Sequence, residues 1–232
     1  MLRKKALLGT VTAVVLLLAA TAALAATIPG TDGPDRINGT AQPDTINALG
    51  GDDSVNGLGG GDTIDGGSGD DTINGDGTCL ANATINPQGP YACIPGNPGA
   101  DKIQGGSGQD VIHGNQGNDR ISGQGDDDRL FGGAGNDRII GGSGQDVVRG
   151  GSGADRITTG GGDDRIRSGS GNDSVTPGSG LDNVRTGSGK DKVFSRDGEV
   201  DRINCGPGRD TVRADRQDRV SRSCENVRRS RG

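Results

Sequence analysis

Residues 132–149 decide the fold: Gly132-Gly-Ala-Gly-Asn-Asp137-Arg-Ile139-Ile-Gly141-Gly-Ser-Gly-Gln-Asp146-Val-Val148-Arg149. They are two copies of one pattern, Gly-Gly-x-Gly-x-Asp-x-aliphatic-x. Asp137 and Asp146 set a nine-residue phase that runs outward in both directions. Toward the N-terminus it meets Asp128, Asp119, Asp110 and Asp101, then, across a gap, Asp71, Asp62, Asp53, Asp44 and Asp35. Toward the C-terminus it meets Asp155, Asp164, Asp173, Asp182 and Asp191, and then Asp201, Asp210 and Asp218 at steps of ten, nine and eight. An aliphatic residue stands two positions after each of these nineteen Asp, and Gly two positions before fifteen of them. Self-similarity at a fixed short period is the mark of a solenoid.

The local chemistry leads to the same shape. Asp-x-aliphatic-x reads as a three-residue strand with one inward side chain, because strand side chains alternate. The six Gly-rich residues before it read as a turn, where positive φ is tolerated. Two units close one 18-residue coil, and coils stack at the strand spacing of ~4.8 Å. The expected fold is all-β, a parallel β-roll (β-solenoid) of 18-residue turns. Its core is thin. Two aliphatics per coil contribute about 1.5–3 kcal/mol each, against roughly 1–2 kcal/mol of entropy for each ordered residue. The composition offers no other core: 47 Gly in 232 residues, 28% hydrophobic and 1% aromatic. Collagen is excluded because Gly does not recur every third residue. Something besides apolar burial must stabilise the coil.

Stacking places the Asp of units 18 residues apart close together, with turn carbonyls between them. Such a cage of hard oxygens suits Ca2+ better than Mg2+, which demands tight octahedral geometry, or Zn2+, which prefers nitrogen and sulfur. Here the sequence resembles the calcium-binding nonapeptide repeat of hemolysin-type (RTX) proteins, secreted by bacteria. Gly66, Gly105, Gly132, Gly141 and Gly150 each begin a full copy of that pattern, and the resemblance spans Gly30 to about Ser221. It implies two nonapeptides per turn, with calcium in the turns held by Asp side chains and turn carbonyls. Carried over position by position, the expected ligands are Asp35, Asp53, Asp62, Asp71, Asp101, Asp110, Asp119, Asp128, Asp137, Asp146, Asp155, Asp164, Asp173, Asp182, Asp191 and Asp210. Asp44 is left out because Gln42 replaces the turn Gly, and Asp201 and Asp218 because the period breaks there.

The rest of the chain divides around the repeat. Residues 1–25 read as a secretory signal: Arg3, Lys4 and Lys5, an apolar run from Ala6 to Ala20, and the small-x-small site Ala23-Leu24-Ala25. The expected location is therefore extracellular. Residues 26–74 are N-terminal repeats, 96–194 the main repeats, and 195–232 a basic C-terminal cap. Residues 75–95 read as two degenerate units that kept the strand at Ile85 and Ile94 but carry Ala83 and Ala92 in place of Asp. The competing reading is a looped-out insert that separates two rolls. Four Cys allow three pairings; Cys79 with Cys93 and Cys205 with Cys224 is favoured, because the two pairs lie far apart on a rod.

Charge and side-chain inventory bound the function. The net charge is −6, and loss of the signal takes it to −9, with the acid concentrated in the body and the base at the end. That balance speaks against nucleic acid as a partner. The single His, His113, has no nucleophile arranged with it, so no enzyme is expected. Arg120, Arg138 and Arg156 recur every 18 residues on one face, and Arg149, Arg167 and Arg185 on the other. Their plain role is to balance neighbouring Asp and deter sheet association. The reading as a whole is a secreted, non-catalytic protein that folds on binding Ca2+ outside the cell. The alternative is a calcium-dependent adhesin or matrix protein whose Arg rows meet anionic polysaccharide or cell wall.

Overall fold

The computed structural model describes the backbone of Val14–Val15 and residues 25–76 and 99–230. The signal sequence proposed for residues 1–25 falls almost entirely outside these, as do Cys79, Ala83, Cys93 and Ala92. Among the described residues twenty-two strands form two parallel sheets of eleven, odd-numbered strands in one and even-numbered strands in the other. The chain thus alternates between sheets at every nonapeptide and returns to the same sheet after 18 residues. In the even sheet Ile121, Ile139, Ile157, Val175 and Val193 are successive register partners. In the odd sheet the file is Ile112, Leu130, Val148, Ile166 and Val184. All are buried, and together they make one continuous core of single residues in file. The expected β-roll of 18-residue coils is the fold.

The strands are longer than the sequence reading allowed. A typical strand, Arg138–Ser143 (β12), has six residues, with Ile139 and Gly141 both facing inward. The first Gly of the next unit therefore belongs to the strand, and the turn shrinks to three residues. The reason lies in how the Gly are used. Gly132 and Gly141 have ordinary φ and supply inward positions without side chains. The Gly at the second and fourth positions of a unit, such as Gly133 (φ 112°) and Gly135 (φ 134°), take the left-handed conformation that bends the chain.

The break between Asp71 and Asp101 is resolved by pairing. Thr63–Ser68 (β6) pairs directly with Lys102–Ser107 (β8), and Thr72–Asp76 (β7) with Val111–Gln116 (β9). In each sheet these strands are direct neighbours, so among the described residues the coils on either side of the break form one roll; the expected degenerate units fall almost entirely outside the described residues. Gly75 takes the place of the first Gly for Asp101: a Cβ added there would overlap Asp101 Oδ2. Gly99 takes the place of the fourth-position Gly, stacked on Gly60 as Gly117 is stacked on Gly99. In the repeat pattern Gly75-Asp76 thus supplies the first two positions, and Gly99-Ala100-Asp101-Lys102-Ile103-Gln104 the last six, of one nonapeptide. Ala83-Thr84-Ile85 and Ala92-Cys93-Ile94, which carry the strand signature in sequence, lie outside the described residues.

At the C-terminus the last strand, Asn226–Arg229 (β22), pairs with Thr211–Ala214 (β20), and Val227 is 36% exposed. Cys205 and Cys224 form a disulfide (Cα–Cα 5.2 Å) at the edge of the core. At the other end Val14–Val15 (β1) pairs with Arg36–Asn38 (β3). Cleavage after Ala25 would remove β1 and leave β3 at the edge of its sheet.

Candidate metal centre

The strands aim every phased Asp inward. From Asp35 to Asp218 all nineteen side chains are buried, none more than 5% exposed. Because the Asp ends the three-residue turn, its carboxylate reaches back beneath the turn of the preceding coil. From Asp53 onward, one oxygen of each phased carboxylate accepts the backbone N–H of the Asp one coil earlier. Asp146 Oδ1 accepts from Asp128 N (2.9 Å), Asp155 Oδ1 from Asp137 N (2.9 Å) and Asp164 Oδ1 from Asp146 N (2.8 Å). The file crosses the interrupted unit without a step, since Asp62 N donates to Asp101 Oδ1 (2.7 Å) and Asp71 N to Asp110 Oδ1 (2.9 Å).

The other oxygen has a different environment. Oδ2 of Asp53, Asp71, Asp110, Asp128, Asp137, Asp146, Asp155, Asp182, Asp191 and Asp210 is buried with no hydrogen-bond partner among the described residues. In the units of Asp71, Asp110, Asp128, Asp137, Asp146 and Asp155 it lies over the inward face of the unit's first Gly. A Cβ added at Gly132 would overlap Asp137 Oδ2 and sit 2.6 Å from the carbonyl oxygen of Gly150; one added at Gly123 would overlap Asp128 Oδ2 and sit 2.9 Å from that of Gly141. An orphaned carboxylate oxygen and a backbone carbonyl oxygen thus converge on one side-chain-free space in coil after coil. A buried carboxylate is costly unless it is paired or coordinates a metal. The donors are all oxygen, one of them charged, which is the chemistry of a calcium ligand set. The residues fit the ion.

Without a cation the charge is poorly tolerated. Burial, less the relief from the backbone N–H and with added repulsion from stacked Asp, pushes the carboxyls of Asp71, Asp128, Asp155 and Asp182 up to about 7. Those of Asp110 and Asp146 rise to about 6. Burial likewise raises Asp53, Asp137, Asp164, Asp173, Asp201 and Asp210.

Three Asp left out of the expected set stand in the same file. Asp44 Oδ1 accepts from Ala26 N (2.6 Å), Asp201 Oδ1 from Asp182 N (2.9 Å) and Asp218 Oδ1 from Asp201 N (3.1 Å). The turns absorb the steps of ten and eight, so a broken period did not mean a lost carboxylate. Glu225 was overlooked altogether. Its Oε2 accepts from Asp210 N (2.8 Å), and the signal was present, since Val227 follows it by two. Also overlooked was a change in the inward first-Gly position toward the C-terminus, where Thr159, Ser168 and Thr186 occupy it. Their buried hydroxyls donate to the carbonyls of Pro177 (2.6 Å), Thr186 (2.8 Å) and Cys205 (2.8 Å), one coil on. His113 is stacked on Phe131 on the outer face (centroids 4.5 Å apart), and burial lowers its pKa.

Comparison with curated proteins returns no match. The family model for the RTX calcium-binding nonapeptide repeat matches residues 29–64, 53–77, 95–128, 113–148, 122–157, 140–175 and 149–184, more than half of the chain. The matches stop at residue 77 and restart at residue 95, on either side of the break between β7 and β8. With its file of buried Asp and its alternating parallel strands, the chain belongs to the RTX calcium-binding nonapeptide repeat family, and calcium is the ion its repeats imply.

Proposed function

We propose that this is a secreted, non-catalytic protein whose β-roll forms when the phased Asp side chains and turn carbonyls take up Ca2+. The observation that carries the reading is the convergence of a buried, unpartnered Asp Oδ2 with a backbone carbonyl over the first Gly of successive units. Bound there, the cation would supply the positive charge that the file of carboxylates lacks. The chain's own part is to hold the carboxylates in register through the Oδ1 hydrogen bonds, to exclude water with the aliphatic file, and to bring in carbonyls through left-handed Gly. The proposed ligands are the sixteen Asp expected from the sequence, joined by Asp44, Asp201 and Asp218. Coupled binding and folding follows from the thin core, since the free energy of binding is then spent on ordering the chain.

An N-terminal signal supports export to a medium rich in calcium, where an exported chain can also keep its disulfides. The test is a calcium titration of the chelated protein followed by circular dichroism. Calcium should induce β signal cooperatively, and magnesium at the same concentration should not. Full β signal in the chelated protein at neutral pH would refute coupled folding.

A further inference from the structure

The outer face of the even sheet carries a file of cations. Lys102, Arg120, Arg138 and Arg156 are register partners on neighbouring strands, and Lys192 continues the row after Ser174. All five cations are exposed. Neighbouring strands lie ~4.8 Å apart, and like charges directly opposite one another on a sheet destabilise it. The plain role for such a row was to balance neighbouring Asp and deter sheet association. Direct pairing with the Asp beside each Arg is not how the row is used, because Asp119, Asp137 and Asp155 are turned inward and buried, with Oδ1 committed to backbone N–H groups. None of the five cations forms an ion pair among the described residues. Arg120, Arg138, Arg156 and Lys192 line an open groove of about 520 Å3, together with Asn118, Asn136, Asn172 and Lys190 and with Asp119, Asp137, Asp155 and Asp173.

From this placement we infer that the row is a docking surface for an extended anionic polysaccharide bearing carboxylates on its sugars, a polyuronate. A straight, regularly spaced line of cations fits a linear polyanion aligned with the roll axis. Guanidinium forks bind carboxylates in bidentate fashion, and the amide and hydroxyl groups beside them suit sugar hydroxyls. Duplex nucleic acid is a poorer match, with one charge per ~1.7 Å against one per strand here. Single-stranded nucleic acid is bound on aromatic platforms, and the row holds no aromatic ring. The inference rests on the calcium reading in one respect: the cations are in line only when the coils are folded.

The test uses the full chain in calcium and a fluorescently labelled oligogalacturonate too short to gel, with binding read by anisotropy and folding by circular dichroism on the same samples. The variant Arg120→Ser/Arg138→Ser/Arg156→Ser should fold with calcium as the parent does and bind about tenfold more weakly. The control Arg209→Ser/Arg216→Ser/Arg222→Ser removes equal charge from exposed sites off the row and should bind as the parent does. Added salt should weaken parental binding. Equal loss in both variants would reduce the effect to net charge and overturn the row. Absence of binding, equal binding of neutral dextran, or tighter binding of polyphosphate or single-stranded DNA would overturn the polyuronate assignment. Should calcium leave the parental spectrum unchanged, the calcium reading fails, and the comparison of the two variants still decides the row.

Discussion

Each phased Asp has two oxygens with different tasks, and substitutions can separate them. Asp146→Asn keeps an acceptor for Asp128 N–H but loses the charge. It should fold in calcium with the local affinity lowered about tenfold or more, since a carboxylate ligand has become an amide. Asp146→Ala also strands a buried N–H, at about 1–3 kcal/mol, and should lower the melting temperature in calcium further than Asn does. Calorimetric titration and thermal melts distinguish the two; identical melts would mean that the Oδ1 bond adds nothing. The same carboxyls predict a pH response with opposite signs in the two states. In the metal-free fold Asp71, Asp128, Asp155 and Asp182 hold protons up to about pH 7, whereas in the unfolded chain they release them near ~4. Between those values the folded state binds more protons. The stability they confer is therefore complete below about pH 4 and is lost as the pH rises toward 7. Acidifying the metal-free chain should raise its β signal over this window, while calcium affinity should fall over the same window as protons compete. A metal-free spectrum flat between pH 4 and 7 would contradict the burial of these groups.

At the scale of the single nonapeptide, the phase of Asp, Gly and aliphatic was enough to read the strands, the two sheets and most of the carboxylate file. The limits of each element were not legible, because Gly serves two purposes that look alike in sequence. Gly132 is an inward strand residue, and Gly133 and Gly135 are left-handed bends. Thr159, Ser168 and Thr186 could be read as lapses in the pattern, yet their hydroxyls tie one coil to the next. Asp201 and Asp218 were discounted for a slip of one residue that a turn accommodates easily. True lapses exist at the bends. Leu49 holds φ 77° where most units have Gly, with its side chain 42% exposed. Leu49→Gly should stabilise the calcium-bound protein by about 1 kcal/mol, the cost of a left-handed non-Gly residue. A melting temperature unchanged or lowered in calcium would show that Leu49 makes a compensating contact.

For the molecule as a whole, the direct pairing of β6 with β8 and β7 with β9 predicts that the roll forms without residues 77–97. Deleting residues 77–97 joins Gly75-Asp76 to Pro98 and restores an uninterrupted nonapeptide. That shortened chain should fold with calcium as the parent does, even though it lacks Cys79 and Cys93. Failure to gain β signal in calcium would show that the insert supports the coils on either side of it. The alternation of sheets also gives the repeat a parity. Removing the single unit 141–149 would shift every later strand to the opposite face, putting Arg156 on the far side from Arg120 and Arg138. Removing the pair 132–149 would set Arg156 directly beside Arg120. Both shortened chains retain the Asp phase, but only the even deletion preserves which side of the molecule is which. A chain that depends on what its faces display can change length freely by eighteen residues, and by nine only at the expense of exchanging its two sides.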